Sequence, residues 1–182
     1  MRQLAEFGYH GTGIKQILDS VSVPKGSFYN YFESKEAFVA AILDQYTSDN
    51  IALFDQFISQ STLPALQKIL AVQDYLLEQF EQAQCQRGCL VGSIAAEIGA
   101  SSAICQTALT RAREQWQRRV SRLAAEAQSH QEIRSDLSAD EIAEIYWATW
   151  EGAVIRMKLD GETTAARRIL NTTLKTLLAP TA

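Results

Sequence analysis

From one end of the chain to the other, apolar residues recur at intervals of three and four, and no stretch shows the two-residue alternation of a half-buried strand. That period commits the backbone to helices, so the expected fold is all-α. The chain has 182 residues, 47% of them hydrophobic and 21% charged, which is enough for a substantial core. No apolar run approaches the roughly 20 residues that would cross a bilayer. The start, "MRQLAEFGYHG", also lacks the apolar stretch of a secretory signal, so a cytoplasmic protein without a membrane partner is expected.

Capping and breaking residues place the helices. A short first helix ends near Gly8, and "TGIKQILDS" (12–20) reads as a second with Thr12 as N-cap. Pro24 suits the first turn of a third helix that runs only to about Tyr31. Ser34 caps a longer one to about Ser59, and Pro64 opens another with Leu66, Ile69, Leu70, Tyr75 or Leu76, and Phe80 inward. The break at Gly88 leads into "CLVGSIAAEIG". A long helix follows from about Ser101 to Gln128, with Ile104, Ala108, Ala112, Trp116, Val120, Leu123 and Ala127 on one seam. "DLSADE" holds a capping box, Ser138 with Glu141, for a helix to about Leu159. After the turn at Asp160 and Gly161, a last helix extends from 162 to about 179, before Pro180.

Within this plan "VSVPKGSFYNYFESKEAF" (21–38) stands out, because "FYNYF" puts four aromatics where a helix should show one apolar stripe and one wet one. On a helix starting at Pro24, Phe28 and Phe32 share a face at i, i+4 and can bury, whereas Tyr29, Asn30 and Tyr31 cannot all follow them inward. Two short helices joined by a tight turn form a helix-turn-helix pattern. Exposed Tyr beside Lys25, Ser27 and Lys35 suits contacts to phosphates and base edges. Net charge is −4, yet residues 1–35 carry four cations against three carboxylates. That asymmetry is too mild to decide on nucleic acid.

The run "T-x-I-K-Q-I-L … V-x-V-P-K-G-S-F-Y-N-Y-F-x-S-K-E-A-F" resembles the DNA-binding signature of TetR-type bacterial repressors. The resemblance covers residues 4–46 and implies a helix-turn-helix domain at 1–46, followed by a helical sensing and dimerisation domain at 47–182. In that family the first helix begins further upstream, so the first helix here is expected to be abbreviated. The resemblance implies that Thr12 and Lys15 lie at the start of the first helix of the pair, near the phosphates. It places Lys25, Gly26, Ser27, Tyr29, Asn30 and Tyr31 on the recognition helix, and Lys35 on a phosphate. The partners implied are double-stranded operator DNA, a second copy of the chain as a homodimer, and a small-molecule or electrophile inducer. No cofactor is implied.

"RGCLVGSIAAEIG" (87–99) carries a second constellation. Cys89 follows Gly88 at a helix start, where the N-terminal partial charge favours thiolate over thiol; the alternative is a buried structural thiol. "GCL…AAE", with the later "W-x-G-A-V-I-R-M-K" (150–158), is similar to the subgroup of repressors controlling N-ethylmaleimide reductase and related detoxifying enzymes. That resemblance implies Cys89 as the reactive residue. An ammonium at Lys158 near Cys89 would lower the thiol pKa, although a solvated lysine at a helix end is the plainer reading. Cys85 and Cys105 have no comparable context, and three cysteines with two distant histidines have poor spacing for zinc, so no metal site is expected.

Trp116, Trp147 and Trp150 read as core residues that could also line a ligand pocket between helices. The last two helices carry extensive apolar faces, Ile142, Ile145, Tyr146, Thr149 and Ala153 on one, and Ile169, Leu170, Leu174, Leu177 and Leu178 on the other. These suit pairing across a two-fold axis. Three functions therefore compete. The first is a dimeric repressor released by an electrophile at Cys89, or by a non-covalent apolar inducer. The second is a thiol enzyme using Cys89, which finds no His in either Cys motif, no G-x-S-x-G and no phosphate loop, so an enzyme is not expected. The third is a helical interaction module without DNA binding.

Overall fold

A computed structural model describes residues 1–180, leaving out the side chain of Leu177, so that part of the expected apolar face lies outside the described residues. Those residues form an all-α protein with no strand: α1 Arg2–Phe7, α2 Ile14–Ser20, α3 Lys25–Tyr29, α4 Lys35–Gln60, α5 Ala65–Gln82, α6 Leu90–Ile98, α7 Ala103–Ser129, α8 Ala139–Asp160 and α9 Thr164–Thr172. No helix among them is long and apolar enough to cross a membrane. The chain divides into two compact units. One is Met1–Asn50 with Cys89–Arg113, and the other is Ile51–Gly88 with Glu114–Ala182.

In the first unit α2 and α3 pack together and α6 packs on α1. Its core includes Leu4, Tyr9, Leu18, Phe28, Val39 and Leu43 from the N-terminal side and Leu90, Ile94 and Cys105 from the returning segment. Phe28, Phe32 and Phe38 form a closed aromatic trio with centroids 5.1–5.5 Å apart. It fastens α3 to the start of α4, which Ser34 caps by accepting the Ala37 N–H at 3.0 Å. Arg111 forks onto both oxygens of Asp44, tying α7 to α4.

In the second unit Phe54, Ile69, Leu70, Leu123, Ala124, Ile142 and Leu174 belong to one apolar cluster. The capping box that opens α8 is complete: the Ser138 hydroxyl accepts the Glu141 N–H, and the Glu141 carboxylate accepts the Ser138 N–H at 2.8 Å. Gly161 closes α8 in the left-handed conformation at φ 74°, where a side chain would be strained. Arg119 forks onto Asp55, and on α9 Arg167 hydrogen-bonds Asp74 while Thr163 donates to Glu81.

Several expectations need correction. Thr12 is not the N-cap of α2: Gly13 is, without a side-chain bond. The helix α3 ends at Tyr29, two residues early, with Asn30 and Tyr31 in the turn behind it. On α7 Ile104 is exposed, and the seam begins one residue later at fully buried Cys105. Gln73 on α5 is fully buried, where the apolar pattern gave no warning, and its amide donates to Asn171 Oδ1 at 3.2 Å. The last helix turns π-helical over Thr173–Leu177, which carries Leu174 and Leu178 inward.

Candidate nucleic-acid interface and sensing region

Burying Phe28 decides what the rest of α3 presents. With that ring inside, Lys25, Gly26, Tyr29, Asn30 and Tyr31 stand exposed and Ser27 half-exposed, so these positions are open to solvent. Tyr29 is 52% and Tyr31 82% exposed, although both belong to a sequence run dense in core aromatics. A Cβ added at Gly26 would meet nothing, so the backbone of α3 can be approached there. Lys15 and the neighbouring Gln16 on α2 are also exposed. Together they form a polar, aromatic and cationic surface with hydrogen-bonding groups of both kinds, as phosphate and base-edge contact requires.

Two residues expected at this surface are engaged elsewhere. Thr12 is fully buried, and its hydroxyl donates to the Gln3 carbonyl at 3.2 Å, which leaves no side-chain atom for a phosphate. Lys35 is half-buried: its ammonium donates to the Tyr9 carbonyl and sits 4.0 Å over the Tyr9 ring. Burial pulls its pKa below the usual lysine range, against the opposing pull of Glu36 and Glu97. Its ammonium is therefore tied to the α1–α2 turn.

That turn is gripped from three sides. Tyr9 donates its hydroxyl to Glu36 at 2.7 Å, which pushes the phenol well above its ordinary range, with burial the larger cause. The same bond is the chief reason the Glu36 carboxyl titrates below the usual glutamate range. The backbone N–H groups of Tyr9 and His10 donate to the two oxygens of Glu97 at 3.1 and 2.9 Å. Glu97 closes the "AAE" motif of the sequence, but nothing there assigned it this role. A Gly at position 8, which takes φ 71° here, was the only trace.

Cys89, the expected sensing residue, is the N-cap residue of α6, as its place after Gly88 suggested, and it is 8% exposed. The two residues Gln84 and Cys85 before it take positive φ. Gly88 lies so close to α8 that an added Cβ would come 3.0 Å from Val154 and 3.1 Å from the Lys158 stem. Lys158 is exposed, its aliphatic stem beside Gly88. Burial, with Glu81 and Glu162, pushes the Cys85 thiol up, which favours its unreactive form. Cys105 is fully buried, 3.6 Å from the Glu36 carbonyl.

The three tryptophans do not share one partner. Trp116 meets Phe54 edge-on at 5.6 Å, Trp150 leans on Phe80 at 6.1 Å, and Trp147 is half-buried on α8. Tyr146 packs against the apolar cluster, and burial holds its phenol well above the ordinary range. Of the apolar faces on the last two helices, Ile142, Ala153, Leu170, Leu174 and Leu178 are buried within the chain. What remains uncovered on α8 is a narrower seam, Ile145, Ala148, Gly152, Ile155 and Leu159, exposed throughout and spaced by three and four.

Residues 1–42 match the family described as "Bacterial regulatory proteins, tetR family", and residues 65–173 match "Tetracyclin repressor-like, C-terminal domain". The transcriptional regulator AcuR of Cereibacter sphaeroides is 37% identical over 160 residues, 88% of this chain and 73% of AcuR. The HTH-type transcriptional repressor DhaR of Mycobacterium sp. is 34% identical over 176 residues, 97% of this chain and 87% of DhaR. The crystal structure of the reduced form of Escherichia coli NemR superposes with a TM-score of 0.87 at 25% identity, covering 100% of this chain and 93% of NemR.

Proposed function

The chain is a TetR-family transcriptional repressor, and from that premise we propose that it binds a two-fold operator through α2 and α3 and leaves it when Cys89 is modified by an electrophile. The observation that carries the first half is the surface created by burying Phe28: Lys25, Gly26, Ser27, Tyr29, Asn30 and Tyr31 become one outward patch, with Lys15 supplying a cation from α2. In this reading α3 enters the major groove, and Lys15 and Lys25 meet phosphates. A second copy of the chain docks along the Ile145–Leu159 seam of α8, where Ala148 and Gly152 let two backbones approach closely. The protein then acts in the cytoplasm, where operator DNA is found.

For sensing, Cys89 has a helix N-terminus favouring its thiolate. In the reaction with a maleimide or quinone, its sulfur adds to the electron-poor C=C bond. An S–C bond forms, the π bond breaks, and the thiol proton goes to the neighbouring carbon. Because Cys89 is only 8% exposed, an adduct on its sulfur crowds the packing described. It therefore favours conformers in which the start of α6 is displaced, and the ligand works by that preference alone. A non-covalent apolar inducer bound near Trp116, Trp147 and Trp150 is the second reading, favoured by the burial of Cys89.

The experiment is stoichiometric N-ethylmaleimide with adduct mapping by mass spectrometry and a parallel DNA titration. The expected result is an adduct on Cys89 and DNA release, both abolished in Cys89→Ser. Release in Cys89→Ser equal to the parent's, or an adduct confined to Cys85 or Cys105, overturns the covalent reading.

A further inference from the structure

We infer that Glu97, near the C-terminal end of α6, is a positioning residue for DNA recognition: its carboxylate grips the α1–α2 turn and so sets the pose of the two helices that follow. The inference rests on the repressor reading and adds to it a residue that no DNA atom need touch. Each oxygen of Glu97 accepts one backbone N–H, Tyr9 at 3.1 Å and His10 at 2.9 Å. Charge-assisted bonds of this kind are the stronger class, and using both oxygens fixes direction as well as distance. Gly8 makes the approach possible, since a side chain there would collide with the carboxylate.

The gripped peptide is also a junction. The Tyr9 carbonyl takes the Lys35 ammonium, and the Tyr9 hydroxyl donates to Glu36, so one residue carries bonds from α6 and from the first turn of α4. Between that turn and α4 the chain holds only α2, α3 and short connections. Those helices are thus held at both ends by one network, closed at its α6 side by Glu97. A purely structural carboxylate would only add stability. A positioning one must change the discrimination between specific and random DNA, because specific contacts need the pose while phosphate attraction does not.

The test uses the full chain and a duplex that the parent selects from a random-sequence pool, alongside a scrambled duplex. Glu97→Gln keeps the length and one acceptor oxygen but turns an NH2 toward the other N–H, and Glu97→Ala removes both acceptors. The expected result is a fall of about tenfold in affinity for the selected duplex in Glu97→Gln, the size of one lost charge-assisted bond, and a larger fall in Glu97→Ala. Affinity for the scrambled duplex should hold, and the Tyr9 and His10 amides should exchange faster in the same order. Gly8→Ala, which obstructs the carboxylate from the other side, should reproduce the loss. An unchanged preference in both Glu97 variants, or equal losses on both duplexes, overturns the inference. If selection returns no preferred duplex, the repressor reading fails instead. Amide exchange then still decides the grip, since unchanged rates at Tyr9 and His10 overturn it.

Discussion

Replacing Phe28 and replacing Tyr29, neighbours in sequence, should have opposite consequences. Phe28 is 5% exposed and meets Tyr29, Phe32 and Phe38 at centroid distances of 5.2, 5.5 and 5.4 Å. Truncating a buried Phe to Ala costs about 3–5 kcal/mol, and aromatic pairs contribute about 0.5–1.5 kcal/mol each beyond burial. With three rings losing a partner, Phe28→Ala belongs near the upper end, about 4–5 kcal/mol. That is comparable with the whole stability of many small domains, about 5–15 kcal/mol. The segment 12–34 should therefore open locally and DNA binding should vanish with it. Tyr29→Ala removes a half-exposed ring with one aromatic contact, so its cost should be about 1 kcal/mol or less. The assay is amide exchange across α2–α4 with a DNA titration. Phe28→Ala should lose protection and binding together, whereas Tyr29→Ala should keep protection and lose only preference for the selected duplex. If Phe28→Ala keeps parental protection, the aromatic trio is not what holds α3.

Acid should loosen the same unit. The Glu36 carboxyl is held below the ordinary glutamate range chiefly by the Tyr9 hydroxyl, so its contribution is present above that range and lost as pH falls below about 4.3. Tyr9→Phe should flatten that acid loss in a pH series of thermal midpoints, and an unchanged slope would count against the bond. On the second unit, Leu174→Glu should unfold the protein, because Leu174 is 2% exposed in the chain's own core and an unpaired buried charge is costly. Ile155→Glu, on the exposed α8 seam, should give folded monomers in sedimentation. A folded dimer of Ile155→Glu would move the interface elsewhere.

Features whose chemistry is local were legible in the sequence. Ser34 and the Ser138–Glu141 box start their helices where expected, because a cap needs only a side chain and N–H groups within three residues. Phe28 and Phe32 share a face because i, i+4 geometry guarantees it. What escaped depends on partners distant in sequence. Thr12 looked like a cap, but a fold that brings Gln3 beside it turns the hydroxyl inward. Lys35, expected on a phosphate, also donates to the Tyr9 carbonyl, and the grip of Glu97, seen in the sequence only as the last residue of "AAE", was not legible because its partners lie 87 and 88 residues away. Leu174 appeared in a stripe too broad to divide by periodicity, and only packing separates what the chain covers from what Ile145, Ile155 and Leu159 leave open.

The surface opened by burying Phe28 is proposed to read DNA. The most direct test of that reading is the ratio of affinities for selected and scrambled duplexes, titrated over salt for the parent, Tyr29→Ala and Lys25→Ala. The selected sequence should be a near-palindrome with half-site centres about 34–36 Å apart or a multiple of it. The parental preference should be about a thousandfold or more. Tyr29→Ala should lower it by about tenfold, the loss of one good contact, and Lys25→Ala should weaken binding with a shallower salt slope. A parental ratio near one, or a preference that both variants keep in full, would contradict it.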